Sequence, residues 1–135
     1  SISGVLLKAG VDDTVRLLPG EYSGVANTGL IFSDRPISFE GSGNLSVIIP
    51  DAERRFATVL GGAVMRLTSL TFRGGGKAGG GALRVTNSEL WASDCTFEDA
   101  PAAGDGDDSF GHIFAMDSVL TLDRIVVSDS EARYG

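Results

Sequence analysis

Three segments of the chain repeat the same eight-position pattern of apolar and polar residues without a gap. They are MRLTSLTF (65–72), LWASDCTF (90–97) and LTLDRIVV (120–127). Apolar or small residues at alternate positions are typical of a strand with one buried face. We therefore predict that the first, third, sixth and eighth positions form interior columns, namely Met65, Leu67, Leu70, Phe72, Leu90, Ala92, Cys95, Phe97, Leu120, Leu122, Ile125 and Val127.

The spacing of the repeat predicts a solenoid. The two-residue interruption between the third and sixth positions indicates a corner at which the strand bends into a new sheet. The segments start 25 and then 30 residues apart, and a unit of this size cannot bury its inner face alone. Successive units must stack as parallel coils about 4.8 Å apart. We predict an all-β parallel β-helix of about five coils, each with two or three strands, because shorter alternating pieces continue the pattern upstream.

Two alternatives remain beside this fold. Residues 51–60 (DAERRFATVL) can form a short helix with Asp51 as its N-cap, or a long surface loop after Pro50. An antiparallel β-sandwich also contains many short strands at regular spacing. The sandwich is disfavoured because the repeats stay aligned both before and after the two-residue interruption. In addition, no two-residue Asn-Gly or Asp-Gly hairpin joins neighbouring strands.

Length, composition and charge narrow the class of protein. The 135 residues predict a single domain, 1–135, and the absence of an initial Met suggests a segment of a longer chain. Nineteen glycines, roughly twice the usual share, cluster as turns between apolar pieces. The net charge of −7 makes nucleic acid an improbable partner. No apolar stretch approaches the ~20 residues of a spanning helix, and the single cysteine excludes an internal disulfide.

Two stretches resemble known β-helix proteins. LLKAGVDDTVRLLPGEYSG (6–24) resembles the opening coil of the pectin-lyase-like superfamily through Asp13, Thr14, Val15, Leu17, Pro19, Gly20 and Tyr22. GGAL (80–83) with NSELWASDCTF (87–97) resembles the repeats of polymorphic outer-membrane-protein-type surface proteins, but the family asparagine is missing after Phe72 and Phe97. The resemblance implies a right-handed parallel β-helix, with residues 2–9 as the remnant of an N-terminal cap. It also implies an uncapped C-terminal coil, because 128–135 stop just after a core strand.

The enzymes of that superfamily act on polyuronides, so their motifs are a test for catalysis. Asp107-Asp108, Gly111-His112-Ile113 and Arg124-Ile125-Val126 resemble three of the four hydrolase elements. The fourth, N-T-D, is absent, and Val126 stands where the family has lysine. Asp108 and His112 are only four residues apart, within one connection rather than on successive coils. We therefore predict no catalytic residues.

Other chemistry is sparse. Asp105, Asp107 and Asp108 in GDGDD are candidate calcium ligands, although a solvated acidic loop is the simpler interpretation. One cysteine and one histidine cannot fill a zinc site, and we predict no cofactor. Cys95 falls on a buried column and is expected to be a small buried hydrophobe. Asn44 begins an N-glycosylation sequon, which matters only in a secreted chain.

The candidate binding surface is a lateral sheet. Trp91 occupies an outward position, with Arg66 and Thr121 at the equivalent places in the neighbouring repeats, and Arg124 is a further candidate. An exposed tryptophan beside an arginine can stack on a sugar ring or anchor a protein contact. We expect a non-catalytic structural or interaction module of a larger extracellular, surface or multisubunit assembly. Its partners would be proteins or further coils of its own chain, with glycans as a possibility. The alternative is a polysaccharide-active or glycan-binding protein, such as a degenerate polyuronide lyase or hydrolase.

Overall fold

The fold consists of three parallel β-sheets that wind around one core. The computed structural model describes residues 1–2, 4, 13–50, 54–74, 81–98 and 112–128. Its strands are numbered in chain order. Sheet A contains β1 (Thr14–Arg16), β4 (Pro36–Glu40), β7 (Val64–Thr68), β10 (Glu89–Ser93) and β13 (Val119–Asp123). Sheet B contains β2 (Gly20–Tyr22), β5 (Ser46–Ile48), β8 (Thr71–Arg73), β11 (Thr96–Glu98) and β14 (Val126–Ser128). Sheet C contains β3 (Leu30–Ser33), β6 (Ala57–Leu60), β9 (Leu83–Thr86) and β12 (Ile113–Met116).

One strand of each sheet makes up a coil, and the coils stack to form a β-solenoid. Every strand pair among the described residues is parallel, so the antiparallel sandwich is wrong. Each coil has three strands. The described chain forms four complete coils and the first two strands of a fifth, slightly fewer than the five coils expected.

The register of the strands is the one that the repeat predicts. Leu67 pairs with Ala92, and Ala92 pairs with Leu122 on the next coil. Phe72, Phe97 and Val127 are aligned in the same way in sheet B. Residues at equal positions of successive repeats therefore lie directly above one another.

The corners between sheets A and B depend on a left-handed backbone conformation. Ser69, Asp94 and Arg124 each follow a strand of sheet A, with φ angles of 55°, 52° and 51°. One further residue then leads into sheet B. A single residue with positive φ turns the chain sharply without a long loop, which explains the predicted two-residue interruption of the pattern.

Aromatic rings run through the core from coil to coil. The rings of Phe32, Phe39, Phe56, Phe72, Phe97 and His112 form an unbroken series, with neighbouring centroids 4.9 to 5.8 Å apart. Aromatic pairs at these distances add to the stabilisation that burial already provides. Adjacent coils are thereby joined by side-chain packing as well as by backbone hydrogen bonds.

The last coil departs from the predicted burial of the columns. Leu90, Ala92 and Phe97 are buried, but Leu120, Leu122 and Val127, one coil further on, are 37%, 47% and 58% exposed. Ile125 is only partly buried. A column is shielded from water only when strands lie on both sides of it, and no described strand lies beyond β13 and β14. The prediction that all twelve column residues are buried is therefore wrong for this coil.

Two other sequence predictions concern the first half of the chain. Both interpretations of 51–60, a short helix and a long surface loop, are wrong for 57–60, because these residues form β6, in which Ala57 and Val59 are buried. Residues 51–53 lie outside the described part. Ile2 packs into the core cluster, but most of the predicted cap, at 3 and 5–9, lies outside the described residues, as does 129–135.

The connections from sheet B to sheet C absorb the variation in coil length. The connections from sheet A to sheet B, β7–β8 and β10–β11, contain two residues each. The connections from sheet C to sheet A, β9–β10 and β12–β13, also contain two residues each. By contrast, nine residues (74–82) separate β8 from β9, and fourteen (99–112) separate β11 from β12. The five extra residues account for the whole difference between the repeat spacings of 25 and 30 residues.

Candidate functional site

The outer face of sheet A carries the candidate binding residues. β10 lies between β7 and β13, and the register places Trp91 between Arg66 and Thr121. Because side chains alternate along a strand, these three project outward while their neighbours Leu90 and Ala92 are buried. The Arg66 guanidinium carbon lies 5.9 Å from the centroid of the indole ring. A cation over an aromatic face at this distance is attracted by the π electrons.

A second contact fixes the orientation of the tryptophan. The indole Nε1–H donates to Glu89 Oε2 at 3.1 Å. Glu89 precedes Trp91 by two residues on the same strand and so projects from the same face. Trp91 nevertheless remains 43% exposed. Arg66 and Glu89 together hold a partly exposed aromatic ring in one position.

A shallow groove of about 300 Å³ lies beside the ring. It crosses β7, β10 and β13, so it spans the width of three strands. Its lining consists of Arg66, Leu67, Thr68, Trp91, Ala92, Ser93, Thr121 and Asp123. Apart from the indole ring, the outward side chains of this lining are hydroxyl or charged groups.

The third candidate, Arg124, lies at the corner after β13 and does not line the groove. Its Nη2 donates to Asp94 Oδ2 at 2.9 Å, and its Nη1 donates to Asp123 Oδ2 at 2.7 Å. The hydrogen bonds from Arg124 lower the pKa of Asp94, and the same contact raises the pKa of Arg124. Arg124 therefore connects two coils and positions Asp123, which does line the groove.

Cys95 lies inside the solenoid, as the pattern predicts. It is fully buried, and its Sγ contacts the Ser93 carbonyl oxygen at 3.3 Å. Burial raises the pKa of the thiol, because the thiolate would lose its hydration. A thiol in this state is a poor nucleophile at neutral pH.

Of the residues that resemble hydrolase motifs, the structure describes His112 and Arg124, and these two do not share a face. His112 is buried and packs against Phe97, with ring centroids 5.4 Å apart. Arg124 is at an exposed corner between sheets A and B. Asp107 and Asp108 lie outside the described residues.

The calcium hypothesis also falls on residues 104–108, including Asp105, which the structure does not describe. Among the residues that it does describe, no group of three or more His, Cys, Asp and Glu side chains could hold a metal ion. Asn44 is exposed within a short 3₁₀ turn, Gly43–Leu45. Its position is accessible to a modifying enzyme, although the following Ser46 is buried and donates to the Leu17 carbonyl oxygen at 2.7 Å.

Sequence reasoning identified the tryptophan and its arginine but missed their polar surroundings. Glu89, Ser93 and Asp123 were not singled out. The signal was present, since Glu89 and Ser93 are each two residues from Trp91 and so share its side of the strand. Asp123 occupies the position of Ser93 one repeat later.

The fold and this surface define the protein as a parallel β-solenoid with a partly exposed aromatic groove on one lateral sheet. Comparison with protein-family models, curated proteins and solved structures found no significant match. Within the described part of the chain, no helix has the length and apolar character needed to cross a membrane.

Proposed function

We propose that the chain is a non-catalytic structural and interaction module that presents the outer face of sheet A to a partner. The observation that carries the proposal is Trp91, partly exposed on strand β10 of this face and held there by Arg66 and Glu89. Tryptophan and arginine are the residue types most enriched among the contacts that dominate binding energy. The face is thus chemically suited to recognition.

The rigidity of the scaffold supports the same role. Sheet A is paired over five strands, and its inner side is packed against the continuous aromatic core that includes Phe72 and Phe97. A surface that is already ordered loses little conformational entropy when a partner binds. A rod of this kind presents a fixed binding face within a larger assembly, which we place at the cell surface or outside the cell.

A non-catalytic role is supported by where the enzyme-like residues lie. Hydrolysis of a glycosidic bond requires two carboxyl groups roughly 5–9.5 Å apart across the sugar. The lining of the groove contains one carboxyl group, that of Asp123, whose Oδ2 accepts from Arg124 Nη1 at 2.7 Å. A single carboxyl group does not supply the pair that this mechanism requires.

A second contact surface is the last described coil. Its edge strands β13 and β14 carry Leu120, Leu122 and Val127, which are exposed where their equivalents on the preceding coil are buried. A strand added in register to this edge would bury them and would form main-chain hydrogen bonds. Further coils of the same protein or a strand of a partner would both satisfy this geometry.

The second candidate function is a polysaccharide-active or glycan-binding protein, which the aromatic groove favours. We also propose membership of the pectin-lyase-like superfamily, for which the support is the resemblance of 6–24 and a β-solenoid architecture. The enzymatic form of this candidate differs from the proposed role in chemistry, because only an enzyme would turn over a uronate polymer.

Site-specific cross-linking tests the interaction role. Benzoylphenylalanine is introduced at Thr121, which pairs with Trp91 on the outer face of sheet A, in one variant and at Ile31, an exposed residue of sheet C, in the other. Both variants keep Trp91 and are irradiated in cells that produce the protein. We expect a discrete product, cross-linked to a protein or a carbohydrate, from position 121 and none from position 31. Equal products from both positions, or none from position 121, would contradict the proposal.

An activity assay tests the enzymatic form of the second candidate. Uronate polymers are incubated with the protein, with and without calcium, and unsaturated products are followed by absorbance. We expect no product above the uncatalysed rate. Product formation that disappears in the variant Asp107→Ala would establish an enzyme and overturn the non-catalytic role.

A further inference from the structure

The groove beside Trp91 has the chemistry of a carbohydrate site more than that of a protein interface. Of the exposed large apolar residues in the described chain, only Trp91 and Val119 project from the outer face of sheet A. The core of a protein interface is depleted of charge and enriched in apolar side chains. Here a single aromatic ring is surrounded by hydroxyl groups, a guanidinium and a carboxylate. Such surroundings offer many hydrogen bonds and little further apolar area.

A pyranose ring is complementary to this arrangement. Its C–H face is apolar and flat, and so it can cover the indole ring of Trp91, while its hydroxyl groups point outward around its edge. The Thr68, Ser93 and Thr121 hydroxyls can each donate or accept, Arg66 can donate, and Asp123 can accept. Small-molecule sites generally combine an apolar surface with a few placed polar groups in this way.

The size of the groove is suited to a short segment of a saccharide. Its volume of about 300 Å³ lies at the lower end of the range for small-ligand sites. It crosses three strands, so it extends about 10 Å across the sheet at the usual strand spacing. The Arg66 guanidinium carbon lies over one face of the indole, 5.9 Å from the ring centroid, so a stacked ligand would have to contact the opposite face.

The charges around the groove indicate a neutral ligand. Glu89 and Asp123 flank Trp91 within sheet A, and Arg66 is the cation on the groove. The whole chain carries a net charge of −7, which repels polyanions at long range. We propose that this groove binds a neutral saccharide, stacked on the face of Trp91 opposite Arg66 and hydrogen-bonded by the hydroxyl and charged groups of β7, β10 and β13. The proposal rests on the function proposed above and names the ligand class of the same face.

Trp91 is the only tryptophan of the chain, so its fluorescence reports directly on the groove. The full chain is titrated with cellohexaose as a neutral probe and with hexagalacturonate as an anionic one, and binding is measured in parallel by calorimetry. We expect cellohexaose to shift the emission to shorter wavelength and to saturate with a dissociation constant on the order of 1 mM, a weak affinity suited to a shallow site. Hexagalacturonate should bind at least about tenfold more weakly, because of the charge repulsion.

Three variants locate the site in the calorimetric titration. Trp91→Ala should weaken cellohexaose binding by at least about tenfold, which corresponds to roughly 1.4 kcal/mol, whereas Trp91→Phe should retain part of the affinity because it keeps an aromatic face. The matched control is Ile31→Ala, which removes an exposed apolar side chain from sheet C and should leave binding unchanged. Both positions are at least partly exposed, and circular dichroism checks that each variant keeps its fold.

Several results would overturn the inference. The first is that cellohexaose, at concentrations on the order of 10 mM, causes neither an emission shift nor a heat of binding. The second is that hexagalacturonate binds more tightly than cellohexaose. The third is that Trp91→Ala binds cellohexaose as tightly as the unmodified protein does. If no saccharide binds but a cross-link to a protein forms at position 121, the ligand is a protein and only this inference fails. If neither occurs, the proposed function fails with it.

Discussion

The phenyl rings of Phe72 and Phe97 lie one above the other, with centroids 4.9 Å apart and ring planes inclined by only 8°. Their backbones are paired in β8 and β11, so the ring separation follows from the spacing of the strands. Both residues are buried, and each ring also packs against a further ring of the series, Phe56 on one side and His112 on the other. The packing of each coil therefore depends on the coils before and after it.

This dependence predicts a large effect of truncating one ring. Phe97→Ala should lower the free energy of unfolding by about 3–5 kcal/mol, the usual cost of removing a buried phenyl ring. That is a large part of the 5–15 kcal/mol that typically stabilises a domain. Denaturant titration measures the difference. Leu18→Ala, at a position that is 73% exposed, is the control and should change stability by no more than about 0.5 kcal/mol. Similar effects of the two variants would show that the ring series contributes little.

The left-handed corners predict that neighbouring residues respond differently to the same substitution. Ser69 has a φ of 55°, and a β-branched side chain is poorly accommodated there. Ser69→Val should therefore destabilise the protein by roughly 1–2 kcal/mol, while Ser69→Gly should be tolerated. Thr68→Val, one residue earlier and within strand β7, should have little effect because valine favours extended backbone. Urea denaturation of the three variants tests this, and equal losses from both valine substitutions would contradict it.

The burial of Cys95 predicts slow modification of the native thiol. With the thiol out of reach of solvent and its pKa raised by burial, reaction with a disulfide reagent requires local opening of the coil. The variant Thr121→Cys adds an exposed thiol on sheet A to the same molecule. At pH 7.5 to 8 (about the ordinary range for such assays) we expect one thiol to react rapidly and one at least about tenfold more slowly. Two equally fast phases would show that Cys95 is accessible.

The bridge between Asp94 and Arg124 predicts a dependence of stability on pH. The hydrogen bonds from Arg124 hold the pKa of Asp94 below its ordinary value of about 3.9. A carboxyl group with a lowered pKa in the folded state binds fewer protons than in the unfolded state. The stabilisation of the folded state by the Asp94 carboxylate is therefore present at pH values above the ordinary pKa. It is lost as the pH falls through the lowered pKa of the folded state. Asp94→Asn should melt at a lower temperature than the unmodified protein at pH 7, and this difference should close below about pH 4.

Asparagine is a suitable replacement at position 94, because it tolerates the φ of 52° found there. The control is Asp34→Asn, the same substitution at a corner with a φ of 56° but away from the bridge. Thermal unfolding between pH 3 and pH 7 (roughly the range in which carboxyl groups titrate) provides the comparison, and added salt should reduce the difference because the pair is exposed. A difference that stays constant over this range would rule out the ionic contribution.

The sequence predicts those features of the fold that repeat with the coils. The alignment of Leu67, Ala92 and Leu122 gave the strand register, because stacking of like positions is the physical origin of the repeat. The contact of Phe56 with Phe72 could not be predicted, since it joins residues on different columns and depends on three-dimensional packing. The exposure of Leu122 also required the structure, because the pattern of a strand does not reveal whether another strand covers it.

For the candidate site, the alignment correctly placed Arg66 beside Trp91 on neighbouring strands. Arg124 was grouped with these two residues because it is charged and was expected to be exposed. The structure places it instead at the corner after β13, in contact with Asp94. That outcome depends on the corner geometry, in which the residue after β13 lies over the residue after β10. A pattern of apolar positions contains no information on which polar side chains at such corners will meet.

The connections between sheets B and C give the architecture a practical property. The connection at 99–112 is five residues longer than the one at 74–82, yet β12 keeps its pairing with β9 without a shift. The stacking of the coils therefore accommodates connections of different length at this position. For protein engineering, the same position is a natural point at which to graft a foreign peptide, such as an epitope or an affinity tag, onto a rigid carrier.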